Sequence, residues 1–229
     1  MKIIYKLTTI TLLVYMLNGC AAVGTAVSHH NLETQTLMSS SMFIDPKMLD
    51  QPSTVFLMVT NTTDHPSFTI SQQLKEKIRL KGYQIVTSLN KASYILQVNL
   101  LQVGMQSETA AKEMMGAGYG GSLEGVVTGV AIAGAAGAAT AGVVAGGVVA
   151  GGVVGGVAMS AADNFVKDVN YSVVSDVQLI QLMPNGKSNI MKTRILSTAN
   201  KVNLDFKEAM PILESGLSSS ISGLFVVKN

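Results

Sequence analysis

The first half of the chain shows a hydrophobic pattern that predicts strands around one helix. Three stretches are rich in β-branched residues or alternate between apolar and polar positions, and each predicts a strand: residues 54–59, 84–86 and 93–105. Between the first two, Leu74 and Ile78 lie four residues apart and predict a helix, with Ser71 as its N-cap and Gly82 as its end.

The second half predicts a β-hairpin followed by a helix. Residues 169–182 and 190–198 are two β-rich stretches separated by the turn-forming residues 183–187. Apolar residues then recur every three or four positions through residues 204–224, which predicts a long helix with Asp205 at its start. Pro211 falls inside this stripe and is expected to kink the helix or restart it.

The two halves are separated by residues 125–162, which contain no charge and no proline and consist almost entirely of glycine, alanine and valine. A single membrane span needs about 20 residues, so this length predicts two antiparallel transmembrane helices that turn near Thr140. A buried β-rich segment, a glycine-rich packed core and a flexible linker remain alternatives.

Glycine spacing favours the helical interpretation, because residues four apart share one helix face and glycine there lets two helices approach closely. The glycines predicted to pack helices together are Gly125, Gly129, Gly142, Gly146, Gly147, Gly151, Gly152, Gly155 and Gly156. Tyr119 and Phe165 flank the segment and are predicted to lie at the membrane interface.

The N-terminus has the pattern of a lipoprotein signal. Lys2 and Lys6 precede an apolar stretch, as in a secretory signal peptide. The stretch Leu17-Asn18-Gly19-Cys20 then has the form of a lipobox, in which the cysteine is acylated. The predicted modification is a diacylglycerol and an N-acyl chain on Cys20, and no other cofactor is expected. A plain signal peptide with cleavage elsewhere is the alternative.

Charge and motif content narrow the function. Without residues 1–19 the chain has as many acidic as basic residues, and it has no tryptophan, so nucleic acid is not expected as a partner. The adjacent His29 and His30 have no acid or cysteine at ligand spacing, so a metal site is not expected there. We expect no enzyme activity. Asp176 is expected at an exposed strand position.

These patterns together predict an α+β fold of small sheets with packed helices, interrupted by the transmembrane helical hairpin. The predicted organisation is a signal peptide (1–19), a lipid-anchored N-terminal segment (20–50), the first part of the α+β domain (51–118), the glycine-rich membrane hairpin (119–165) and the second part of the domain (166–229).

Several blocks of sequence run in order along nearly the whole mature chain and carry a family resemblance. The blocks are Asn31-Leu32-Glu33, Thr54-Val55-Phe56-Leu57, Lys81-Gly82-Tyr83-Gln84, Glu124-Gly125, Lys167-Asp168-Val169-Asn170-Tyr171, Asp176-Val177-Gln178 and Ala199-Asn200-Lys201-Val202-Asn203-Leu204. Together they resemble the TraT family of outer-membrane lipoproteins from conjugative plasmids.

The resemblance implies an outer-membrane lipoprotein that mediates surface exclusion, the blocking of redundant conjugative DNA transfer, and resistance to complement. It also implies a ring-like homo-oligomer in outer-membrane lipid, with a donor-cell mating-pair protein or pilus component as a candidate partner. An oligomeric export channel and a structural envelope lipoprotein are the alternatives. A water-filled pore needs a polar lining, yet only Thr128, Thr140 and Ser160 are polar within residues 125–162.

Overall fold

The computed structural model describes residues 31–48, 51–121, 123 and 168–228. Within these residues the chain forms one six-stranded sheet with three α-helices. The strands are β1 (Glu33–Met38), β2 (Thr54–Asn61), β3 (Gln84–Val86), β4 (Tyr94–Met105), β5 (Asp168–Leu182) and β6 (Ser188–Val202). The helices are α1 (Ser71–Leu80), α2 (Glu108–Gly116) and α3 (Phe206–Gly223). Short 3-10 turns occupy Pro46–Met48 and Leu89–Lys91.

The strand order is β1-β6-β5-β4-β2-β3. The pairs β1–β6, β6–β5 and β5–β4 are antiparallel, whereas β2 lies parallel to both β4 and β3. The connection between the parallel strands β2 and β3 contains α1, as a crossover between parallel strands requires.

Alternation along the strands gives the sheet two unlike faces. On one face, which we call the helix face, α1 and α3 pack over the main apolar core. β4 contributes every second residue to this core, and α3 contributes one residue per turn. The fully buried members from these two elements are Tyr94, Leu96, Leu100, Ala209, Leu213, Leu217 and Ile221.

The opposite face carries α2, and we call it the α2 face. Ala111 and Met114 of α2 pack there on Val174 of β5 and Leu196 of β6, forming a second, smaller apolar cluster. The chain therefore buries both faces of the β5–β6 hairpin, which explains why Val173 and Val174 are both fully buried although they point in opposite directions.

Most predicted elements are confirmed. The three strands and α1 of the first half, the β5–β6 hairpin and the long α3 all lie where the hydrophobic pattern placed them. Asp205 caps α3 by accepting a hydrogen bond from the Lys207 N–H (2.8 Å). α3 continues past Pro211 without restarting. The prediction of Ser71 as N-cap is wrong, because Ser71 is the first helical residue and Ile70 precedes it without a side-chain cap.

The predicted fold class is wrong. Instead of small sheets, one large sheet spans both halves of the chain, because β4 and β5 pair from Tyr94↔Gln181 to Met105↔Tyr171, with one register shift between Leu100 and Gln102. The transmembrane hairpin is not supported either. In the described part of the chain, no helix has both the length and the apolar character that crossing a membrane requires. The glycines of the predicted hairpin, from Gly125 to Gly156, lie outside the described residues, as do Phe165 and Cys20.

Candidate functional site at the start of the glycine-rich segment

The glycine-rich segment begins directly after a short stretch that is tied to the α2 face. This stretch, residues 117–121, follows the end of α2, and we call it the root loop. Beyond it, Leu123 packs against the small apolar cluster under α2. Contacts with α2, β5 and β6 therefore hold the described residues up to Leu123.

A buried arginine organises the root loop. Arg194 of β6 is one of the largest fully buried side chains of the domain, and only 1% of its side chain is exposed. It lies directly opposite Asp176 of β5 in the antiparallel register. Its Nε donates to Oδ1 of Asp176 (2.7 Å), and its Nη2 donates to Oδ2 (3.2 Å). This bidentate contact matches the planar guanidinium to the planar carboxylate.

The same guanidinium also binds the backbone of α2 and of the last residue of the root loop. Nη1 donates to the carbonyl oxygen of Met114 in α2 (3.0 Å), and Nη2 donates to the carbonyl oxygen of Gly121 (2.9 Å). Asp176 completes the arrangement by accepting a hydrogen bond from the Gly120 N–H (2.8 Å). One ion pair thus joins two strands, one helix end and the last residues before the glycine-rich segment.

The arrangement offsets the free-energy cost of removing the Arg194 charge from water. A buried charge is costly unless it is paired and its remaining hydrogen-bonding groups are satisfied. The C-terminal end of a helix offers carbonyl oxygens that lack partners within the helix. Arg194 uses such a carbonyl at Met114, so the helix end and the buried cation satisfy each other.

Tyr119 lies at the tip of the root loop and contacts the sheet beyond the ion pair. Its hydroxyl is 3.3 Å from Oε1 of Gln178, and the ammonium of Lys192 lies 5.0 Å from its ring centroid. Gln178 in turn donates from Nε2 to Oε1 of Gln97 on β4 (2.8 Å). Tyr119 is 39% exposed, and its predicted position at a membrane interface remains a prediction.

The contacts of this arrangement join parts of the domain to one another. Arg194 and Asp176 neutralise each other, and Arg194 makes its further hydrogen bonds to backbone within the domain. Across residues 31–48, 51–121, 123 and 168–228, no three His, Cys, Asp or Glu side chains are grouped so that they could hold a metal ion. The contacts of the site hold the root loop against the α2 face.

The sequence pattern missed this site. Asp176 was expected to be exposed, but only 11% of its side chain is accessible. Arg194 was not singled out at all. The available signal was the predicted hairpin itself, because its turn at residues 183–187 places position 176 opposite position 194 and so pairs the two opposite charges.

A second set of contacts fixes the C-terminus. The Lys228 N–H donates to the Lys81 carbonyl (3.0 Å), and Nζ of Lys81 donates to the Phe225 carbonyl (2.7 Å). Phe225 packs edge-on against Tyr83, with ring centroids 5.0 Å apart. Gly82 adopts φ +89° in this turn, and a Cβ there would lie 3.0 Å from the Lys228 carbonyl oxygen. The Lys81-Gly82-Tyr83 block is therefore the docking site of the chain's own C-terminus.

Comparison with known proteins defines the class to which this domain belongs. The family model described as "Enterobacterial TraT complement resistance protein" matches residues 31–188 and 184–225. The match includes β5, β6 and the residues of the root loop. The chain belongs to the TraT complement resistance family.

Individual relatives agree with this assignment. A TraT complement resistance protein of Escherichia coli strain K12 is 34% identical over 233 residues, which cover 91% of this chain and 92% of that protein. A TraT complement resistance protein of Wigglesworthia glossinidia brevipalpis is 25% identical over 247 residues, or 96% of each chain. The crystal structure of a DUF4136 family protein from Bacteroides thetaiotaomicron covers 86% of this chain at 14% identity, with a TM-score of 0.36, which is too low to indicate a shared fold.

Proposed function

We propose that this protein is a non-catalytic outer-membrane lipoprotein that mediates surface exclusion and complement resistance. The observation that carries the proposal is the family match through both halves of the domain, together with the lipobox that ends at Cys20. The resemblance of the sequence to the family supports surface exclusion, and the printed name of the relatives supports complement resistance.

The proposed anchor is the acylated Cys20, with a diacylglycerol on sulfur and a further acyl chain on its amino group. Two or more chains are needed for stable membrane attachment, because a single acyl chain binds only marginally. Ten residues (21–30) lie between Cys20 and the first described residue, Asn31, so the folded domain would remain close to the lipid surface.

The working form is proposed to be a ring-like homo-oligomer in which the folded domains present a common surface to a donor-cell mating-pair protein or pilus component. The root loop supports this proposal in one respect. Because Arg194 and Asp176 tie it to the sheet, every subunit would hold its root loop in the same position, as a symmetric assembly requires.

Mating and serum assays with one recipient strain test the proposal. Recipients express the wild-type chain, the Cys20→Ser variant or no protein, and they are mated with donors that carry a conjugative plasmid encoding the same chain. Transfer into wild-type expressers is expected to fall below transfer into both controls, and survival in serum is expected to rise. Equal transfer into all three recipients, with wild-type protein present in the outer membrane, would contradict surface exclusion.

Labelling with radioactive palmitate tests the anchor separately. The wild-type chain is expected to incorporate the label and Cys20→Ser to lose it, because Cys20 is the only cysteine in the chain. Label in the Cys20→Ser variant would show that acylation occurs elsewhere.

A further inference from the structure

The charges of the domain are separated along the strand direction. One end of the sheet, which we call the basic end, is formed by the starts of β2, β3 and β4 and by the turn between β5 and β6. α1 ends there, and a backbone hydrogen bond from Lys228 to Lys81 brings the C-terminus to the same end. The other end, which we call the acidic end, holds Asn31, because Glu33 pairs with Asn200 close to the last residue of β6.

The two ends differ in charge. Among the side chains that the structure describes, the basic end has six basic residues and one acidic residue, Asp45. Lys75 and Glu76, farther back in α1, offset each other. The basic residues are Lys77, Arg79, Lys81, Lys91, Lys187 and Lys228. The acidic end has Glu33, Asp64, Glu108, Asp168, Asp205 and Glu208 against Lys112, Lys201 and Lys207. The basic end therefore attracts anionic groups.

Exposed apolar side chains lie among the cations of the basic end. Leu80, the last residue of α1, is 84% exposed, and Val226 and Val227 are 48% and 61% exposed. The hydrogen bond from the Lys228 N–H to the Lys81 carbonyl (3.0 Å) holds these two segments side by side. We call the surface of residues 77–81 and 226–228 the C-terminal patch. Apolar side chains surrounded by charged ones are typical of a surface that binds another molecule.

The backbone of the C-terminal patch is held in place before any partner binds. Nζ of Lys81 donates to the Phe225 carbonyl (2.7 Å), and Nζ of Lys228 donates to the Gln51 carbonyl (3.0 Å). The Lys228 ammonium also lies 5.5 Å from the ring centroid of Tyr83. A surface that is ordered in advance loses less conformational entropy on binding, which favours affinity.

We propose that the C-terminal patch binds a polypeptide segment that carries acidic and apolar side chains. This inference rests on the recognition role proposed above and gives the chemistry of the partner. Carboxylates of the partner would approach Lys77 and Arg79, while its apolar side chains would cover Leu80 and the two valines. Removing the apolar side chains from water supplies affinity. The complementary charges speed association and select the partner.

The membrane that holds the proposed anchor does not fit as the occupant, although basic and apolar side chains together also suit an anionic lipid surface. β6 has 15 residues, so roughly 45–50 Å separate its start at the basic end from its last residue, near Asn31. The ten residues between Cys20 and Asn31 reach at most about 36 Å when fully extended. For the basic end to face that membrane, Asn31 would have to stand farther away than this connection allows.

A second copy of the chain fits the patch less well than a different polypeptide. Two C-terminal patches placed face to face would oppose the same cations, Lys77 and Arg79. The acidic end of another copy has the complementary charge. Stacking it on the basic end, however, would place the two Cys20 anchors at different heights above one membrane, and the stack would not close into a ring.

Three dodecapeptides test the inference on the mature full-length chain in mild non-ionic detergent. They consist of four repeats of Glu-Glu-Leu, of Glu-Glu-Ser or of Ser-Ser-Leu. In fluorescence anisotropy the Glu-Glu-Leu peptide is expected to bind at least about tenfold more tightly than either of the others. Its affinity is also expected to fall as salt is added, because salt screens exposed charges. Binding of the Glu-Glu-Leu peptide that is no tighter than that of the other two would overturn the inference.

Variants locate the binding site. Lys77→Gln with Arg79→Gln is expected to weaken binding of the Glu-Glu-Leu peptide at least about tenfold. The matched control, Lys112→Gln with Lys207→Gln, removes the same charge from the acidic end and is expected to change affinity less than about twofold. Equal weakening by both double variants would show that only net charge matters, which overturns the site. Leu80→Ser tests the apolar contact independently, and an unchanged affinity there would overturn that contact.

Hydroxyl-radical labelling shows whether the patch is covered before a partner arrives. In nanodiscs that contain phosphatidylglycerol, Leu80 and Val227 are expected to react with the radical, and the Glu-Glu-Leu peptide is expected to reduce their labelling. Met105, which is 54% exposed at the acidic end, should keep its labelling. Weak labelling of Leu80 and Val227 without peptide would show that lipid, another copy or another part of the chain covers the patch, which overturns the inference.

Mating assays separate this inference from the proposed function. If wild-type recipients exclude the plasmid, recipients with Lys77→Gln and Arg79→Gln are expected to admit it at least about tenfold more often, at equal protein levels in the outer membrane. Unchanged exclusion by this variant would overturn the inference and leave the proposed function standing. If wild-type recipients do not exclude the plasmid, the proposed function fails, and peptide binding decides the inference by itself.

Discussion

Replacing Asp176 with asparagine is the sharpest test of the Arg194 arrangement. The change keeps the shape of the side chain and removes its charge, so the Arg194 cation, with 1% of its side chain exposed, loses its counter-charge. The amide NH2 of asparagine also replaces one of the two carboxylate oxygens, so at that position a donor faces another donor. If that position is Oδ2, the amide faces both Nη2 of Arg194 and the Gly120 N–H.

The expected loss of stability follows from burial. Removing one partner of a buried ion pair costs about 3–5 kcal/mol, because the other charge remains uncompensated. For a domain of this size, each kcal/mol lowers the midpoint of thermal unfolding by roughly 2–4 °C, so the total shift is roughly 6–20 °C. A matched control is Glu208→Gln, which makes the same chemical change in the exposed Lys201–Glu208 pair and should cost less than about 1 kcal/mol.

Circular dichroism melting measures the global effect, and limited chymotrypsin digestion measures the local one. Asp176→Asn is expected to speed cleavage after Tyr119, because the root loop loses its contact with the sheet. Arg194→Met with Asp176→Leu removes both charges and should recover part of the lost stability. A melting shift in Asp176→Asn no larger than that of Glu208→Gln, with unchanged cleavage at Tyr119, would refute the reasoning.

Three further predictions concern the helix face and the core. Gly216→Ala would place a Cβ 2.7 Å from the Ser197 hydroxyl, so either that side chain or α3 must shift, at a cost of about 1–3 kcal/mol. Gly223→Ala meets nothing within 4 Å and should be neutral or slightly stabilising in the same melting assay. Phe225→Ala removes a buried ring from the contacts with Tyr83 and Tyr94 and should cost about 3–5 kcal/mol in urea unfolding; a loss below about 1 kcal/mol would show that the C-terminus is not locked. Burial raises the pKa of the Tyr94 hydroxyl, which donates to the Met48 carbonyl, so the folded state retains the proton when the unfolded chain begins to lose it near pH 10. Stability should therefore fall as pH rises above about 10, and Tyr94→Phe should reduce that fall while costing about 1 kcal/mol at neutral pH; an unchanged alkaline slope would contradict this.

Local periodicity predicted the elements of the domain well. The β5–β6 hairpin and α3 follow from the spacing of their apolar residues, since each buries one face or both faces in a regular pattern. β1 was missed because Glu33–Met38 is mostly polar and is held by pairing with β6 instead of by an apolar pattern. α2 was missed because its short apolar stripe of alanine and methionine follows a strand without a strong break.

Long-range pairing limited the prediction of the fold and of the site. Nothing local indicates that β4 continues the same sheet as β5, because the two strands are far apart along the chain. Asp176 and Arg194 are individually ordinary charged residues, and only their cross-strand register explains why both are buried. The length, composition and glycine spacing of residues 125–162 do not distinguish packing in lipid from packing in protein.

The pairing of β4 with β5 has a consequence for how this chain can change over time. Roughly 60 residues separate the two strands, and closing such a connection costs entropy that grows only with the logarithm of its length, by about 0.6 kcal/mol for each doubling. Residues can therefore be gained or lost in the connection at little cost to the sheet. A change of length after Leu123 would leave in place the contacts of the Arg194–Asp176 pair with Met114, Gly120 and Gly121.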